Sequence, residues 1–129
     1  MIVSSEISRG LDIFELTPSA LVSQNEIDAA KTVHFDYLNA QGQPKLIWPA
    51  SFAKARAYVD QLERSTGLPV ARIASVRTAL DAAEKTTGRS RSAALNKLST
   101  ALHTEAAASP DASKAHMLAA AVGELATAR

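Results

Sequence analysis

The sequence predicts a mostly α-helical protein, in which a C-terminal antiparallel bundle of about four helices carries an N-terminal α/β arm with a β-hairpin. Three observations predict it. Apolar residues recur at helical spacing from Phe52 to Leu125. Helix starts and stops punctuate that stretch at Ser51, Gly67-Leu68-Pro69, Gly88 and Ser109-Pro110-Asp111. Before it, Val33-His34-Phe35-Asp36-Tyr37 alternates apolar and polar residues, the period of a half-buried strand. A length of 129 residues fits a single domain, read as an arm over 1–48 and a bundle over 49–129.

The first bundle helix is expected over 51–66. Phe52, Ala55, Tyr58, Val59 and Leu62 share one face, while Arg56–Asp60 and Asp60–Arg64 form i,i+4 pairs outside. Gly67 is expected to end it, because a left-handed terminal residue costs least at glycine. Pro69 suits the first turn of a second helix over 69–87, with Ile73, Val76, Leu80 and Ala83 as its stripe. Gly88 is expected to stop that helix. Ser90 or Ser92 then caps a third over 91–107 that buries Ala94, Leu95, Leu98, Ala101 and Leu102. Ser109-Pro110-Asp111 reads as a capping serine, a first-turn proline and an acid, opening a fourth helix over 110–127. Its stripe is Ala115, Leu118, Ala119, Val122 and Leu125, interrupted by Gly123. A second weakly apolar strip, Met117, Ala120, Ala121 and Ala128, implies either a central position or a self-association surface. Short connections make neighbouring helices antiparallel.

In the arm, Ser23-Gln24-Asn25-Glu26 matches a capping box and predicts a short helix to about Lys31. A hairpin is expected over about 32–48, with Asn39-Ala40-Gln41-Gly42 as turn and Lys45-Leu46-Ile47-Trp48 as the return strand. Such a hairpin needs docking or a third strand, which Ile2–Ser4 or Leu11–Leu16 can supply. Residues 5–22 follow no single pattern.

Composition narrows the chemistry. Zero cysteines exclude disulfides, thiolate zinc sites, iron–sulfur clusters and a cysteine nucleophile. There is no P-loop, no dinucleotide-binding glycine motif and no nucleophile elbow, so no catalytic residue and no cofactor is assigned, and the enzyme question leans towards no. Asp36 and Glu26 are one carboxylate pair that folding could assemble. His103 and His116 fall opposite their stripes and are expected in solvent. His34 and Asp36 share a strand face without a third ligand, so no metal site is assigned. The N-terminal residues lack a signal-peptide pattern and no apolar run approaches the roughly 20 residues of a membrane span, so a cytoplasmic location is expected.

Charge divides the chain. Residues 1–48 hold Arg9, Lys31 and Lys45 against Glu6, Asp12, Glu15, Glu26, Asp28 and Asp36, a net −3, which leaves +4 for the rest of a chain whose total is +1. Mutual attraction within the fold is the leading explanation. The functional reading is a small, non-enzymatic protein-interaction or adaptor protein, binding a protein partner or a second copy of itself. Phe35, Tyr37 and Trp48 of the hairpin, with Met117 and Ala121 of the last helix, are its candidate contacts. One alternative is a nucleic-acid-binding regulator that uses the basic junction of Lys85, Arg89, Arg91 and Lys97, although near-neutral charge argues against it. Another is a small-ligand protein with an aromatic pocket at Trp48 and Tyr37.

Overall fold

The computed structural model describes residues 2–8, 10–34 and 46–128. Those residues form five helices and an N-terminal two-stranded antiparallel hairpin. The hairpin comprises β1 (Ile2–Glu6) and β2 (Gly10–Phe14), and α1 is Gln24–Lys31. The bundle comprises α2 (Phe52–Arg64), α3 (Val70–Glu84), α4 (Gly88–Ala106) and α5 (Ala112–Thr127). Each bundle helix packs on its chain neighbour, and α5 returns to α2 and closes the ring. On its outer side α2 also carries α1.

The periodic stripes form the core. Ala55, Val59 and Leu62 from α2 meet Ile73, Val76, Leu80 and Ala83 from α3, Leu95, Leu98 and Leu102 from α4, and Leu118, Val122 and Leu125 from α5. Phe52 and Tyr58 pack against its edge. Two positions on α4 differ from expectation: Ala94 is exposed and Ala101 half-buried, whereas Ser99 and Ala106 are buried. The α4 face is turned towards α5, where contact between helices is most extensive. Gly123 explains the turn. A methyl group there would stand 3.1 Å from Ser99 Oγ, and the Ser99 hydroxyl donates to the Ala119 carbonyl at 2.8 Å. The small residue thus admits a close crossing.

Several helix ends depart from local expectation. Thr66, with φ 54°, takes the left-handed position assigned to Gly67. Gly67 is required for a different reason, since an added Cβ would lie 2.7 Å from Leu62 Cδ2 and 3.0 Å from Asp111 Cβ. Asp111, not Ser109, caps α5, accepting from the Lys114 amide at 3.3 Å. Ser109 instead donates to the Gly67 carbonyl at 2.6 Å, tying the α4–α5 turn to the α2–α3 turn. Helix α4 begins at Gly88 (φ 60°), three residues before the expected start.

The i,i+4 pairs expected on α2 are replaced by ties between helices. Arg56 Nη2 lies 2.6 Å from both Asp81 Oδ1 and Glu84 Oε2 on α3, and Arg77 of α3 reaches back to Asp60 and Glu63. Arg64 pairs with Glu26 on α1 at 2.7 Å. The expected capping box at Ser23 is present, and its acid is that same Glu26. Burial alone would raise the Glu26 pKa. Hydrogen bonds from Arg64, the Ser23 amide and Gln61, together with the Arg64 charge, outweigh burial and lower it to about 2.

The arm is where the sequence reading is most revised. Ile2–Ser4 and part of Leu11–Leu16 do become strands, but they pair with each other. Of the hairpin expected over 32–48, His34 and Ile47 exchange two backbone hydrogen bonds of 3.2 and 3.0 Å. Its remaining positions 35–45, with Phe35 and Tyr37, lie outside the described residues.

Two measurements test these packing arguments. Gly123→Ala alone should change stability by less than about 1 kcal/mol, because helix propensity favours Ala by about that amount while crowding against Ser99 opposes it. In a Ser99→Ala background the gain should emerge. Denaturant unfolding of the double-mutant cycle should therefore be non-additive, and additive values would contradict the close-crossing account. The second test concerns pH. A carboxyl with a depressed folded pKa stabilises above its unfolded value and loses that contribution as pH falls through the folded one. The Glu26 contribution should be complete above about 4.5 and vanish towards about 2. Across that window the wild type should lose more stability than Glu26→Gln, and parallel curves would refute the assignment.

Candidate interaction surface

Pairing register sorts the hairpin into two faces. Val3 opposes Ile13 and Ser5 opposes Leu11 on one face, while Ile2 opposes Phe14 and Ser4 opposes Asp12 on the other. Gly10, at φ 92°, supplies the left-handed residue that returns the chain into β2. On the first face Val3, Leu11 and Ile13 remain 54%, 62% and 61% exposed. Ile2 and Phe14 are also more than half exposed, as is Ile7 at the turn. Among the described residues neither strand packs against any helix. The outer edges of β1 and β2 lack a further strand there as well.

This arrangement is unusual for the amount of apolar surface involved. Scattered exposed hydrophobics are ordinary, whereas a contiguous exposed set on one small ribbon makes a candidate interaction surface. Sequence reasoning missed these residues. Gly10 is the available signal, since it opens the second five-residue strand just after the turn that follows the first.

The residues singled out from sequence fare differently. Trp48 and Met117 are 46% and 50% exposed. Ala121 is a correction: it is 2% exposed, inside the bundle, because α5 packs on both α2 and α4 and its second strip is partly consumed there. Trp48 lines a cavity of about 290 Å³ with Glu26, Lys54, Ala57, Tyr58 and Gln61. Its charged groups are already engaged, Glu26 by Arg64 and Lys54 by Glu124 at 2.7 Å. With its pKa at about 2, Glu26 stays ionised at neutral pH and carries no proton to donate.

The four residues of the basic junction differ in exposure and in partners. Lys85, Arg89 and Lys97 are exposed, but Arg91 is half-buried. Its Nε donates to the Thr86 carbonyl at 2.6 Å and its Nη2 to the Glu84 carbonyl at 3.2 Å. Its guanidinium also lies 5.8 Å from the Phe52 ring centroid, with Arg56 at 5.7 Å from the same ring. Arg91 thus satisfies the carboxyl end of α3, a structural task the sequence reading did not foresee. At the far end of the bundle a groove of about 680 Å³ runs along Leu68, Pro69, Val70, Ile73, Ala108 and Pro110. Its rim charges are already engaged, Arg72 with Glu105 across the rim and Glu63 with Arg77 outside it. Among the described residues no helix is long and apolar enough to cross a membrane.

Comparison with family models, curated proteins and solved structures finds no match to this chain.

Arg91→Ala should destabilise the bundle by about 1–2 kcal/mol, the scale of lost charged hydrogen bonds at a helix end. Lys85→Ala, Arg89→Ala and Lys97→Ala should each stay within about 0.5 kcal/mol. Thermal unfolding of the four variants checks this, and equal losses at all four sites would contradict it.

Proposed function

We propose that this chain is a small non-enzymatic interaction protein that associates with a second copy of itself through the N-terminal hairpin, with the helical bundle as its rigid base. The observation that carries the reading is the ribbon of Val3, Leu11 and Ile13, exposed and packed against no helix among the described residues. A two-stranded hairpin is marginal in water, and three or more strands with a covered face are needed for independent stability. Joining two copies edge to edge gives four strands and continues the apolar face across the junction.

Register favours the β1 edge for that contact. Antiparallel self-pairing about Ser4 sets Ser4 against Ser4 and Val3 against Ser5, with no like charges opposed. Self-pairing of β2 about Asp12 would set two carboxylates directly opposite each other, which is unfavourable. The two-fold arrangement is therefore β2–β1–β1–β2, a closed isologous contact. Trp48 and Met117 offer further exposed apolar contact for a partner.

Light scattering coupled to size-exclusion chromatography tests the proposal. The wild type should show a concentration-dependent dimer, and Val3→Lys/Ile13→Lys should be monomeric with unchanged helical circular dichroism. A wild type that stays monomeric throughout, or a double variant that dimerises equally, would overturn it.

A further inference from the structure

We propose that His103 and His116 form a chelating site for a late first-row divalent metal, such as zinc, nickel or copper, on the surface where α4 and α5 meet. The two rings come from opposite sides of the α4–α5 turn, His103 in the last turn of α4 and His116 early in α5. Their Nδ1 atoms lie 3.5 Å apart, while the ring centroids are 5.8 Å apart at an interplanar angle of 38°. The two Nδ1 atoms thus face each other nearly end-on along the line joining the rings, and a modest rotation of the rings turns both lone pairs onto one ion beside that line.

That separation matches a metal bite. Zinc–imidazole bonds measure about 2.0–2.1 Å, so two of them at a tetrahedral angle place the nitrogens about 3.4 Å apart. As a direct hydrogen bond the contact sits at the long limit, so little is lost when a metal takes its place. Both side chains are exposed, which lets an ion enter and lets water complete its shell. The backbone beneath is held by the Ser99–Ala119 hydrogen bond and the close approach at Gly123. The donors are therefore presented by a fixed pair of helices, not by a loop.

Imidazole selects the class of ion. Neutral ring nitrogens suit zinc, copper and nickel, whereas magnesium and calcium favour oxygen donors. Among the described residues no third histidine or carboxylate joins the pair to make a larger cluster. The site is accordingly an open, two-donor clasp with positions left to solvent, weaker than a closed four-ligand structural site. Binding links α4 to α5 and should raise stability by mass action.

Thermal unfolding and titration calorimetry with zinc, nickel and magnesium test this on the full chain. Zinc and nickel should raise the melting temperature of the wild type, and magnesium should not. His103→Ala and His116→Ala, whose native side chains are exposed, should fold normally, and each should lose the metal-induced rise with at least about a tenfold drop in affinity. Copper(II) paramagnetic resonance should show coupling to two imidazole nitrogens in the wild type and to fewer in either variant. No rise in the wild type, or a rise retained in both variants, would overturn the proposal.

Discussion

Helix α2 is the member on which the rest of this molecule leans. It lays Ala55, Val59 and Leu62, all fully buried, into the centre of the bundle, and it touches α1, α3 and α5. Its polar face is equally committed. Arg56 binds two acids of α3, Asp60 and Glu63 share Arg77, Arg64 holds Glu26 of α1, and Lys54 holds Glu124 of α5. Isolated surface ion pairs contribute little, but these are shared between helices and several are half-buried, so they fix which faces meet. Apolar burial supplies the driving force, and the charges select the arrangement.

Two features outside the core follow from that arrangement. Docking of α1 through Glu26 places Trp48 and Tyr58 around the small cavity beside it. Closure of the ring by α5 turns α4 so that Ser99 and Gly123 meet, which in turn brings the Nδ1 atoms of His103 and His116 within 3.5 Å. The hairpin alone draws no packing from the bundle among the described residues. The chain thus separates a packed scaffold from an exposed apolar ribbon.

Much of the scaffold was legible in the sequence because periodicity is a local property. Ile73, Val76, Leu80 and Ala83 lie on one face whatever surrounds them, and all four are buried. The helix ends were read less well, for identifiable reasons. Thr66 adopts the left-handed conformation while Gly67 is spent on closeness to Leu62 and Asp111, a contact 44 residues away in the latter case that no local pattern displays. Arg91 looked like a spare cation because its acceptors belong to the preceding helix. Ala121 is ambiguous from sequence, because a small residue on a second strip fits a central helix as well as an exposed one. The candidate interaction residues were hidden for a further reason. Val3, Leu11 and Ile13 are ordinary strand residues, and only the absence of a helix over them in the described structure makes them notable. The histidines were placed correctly in solvent, but their pairing is a tertiary fact.

We propose that the bundle holds without the hairpin and that association with a second copy completes the hairpin. Hydrogen exchange of backbone amides, followed as a function of protein concentration, tests it most directly. Protection of residues 2–14 should be weak in dilute protein and rise with concentration, while protection of α2 to α5 stays constant. Strong protection of residues 2–14 that does not depend on concentration, or protection that never appears, would contradict the account.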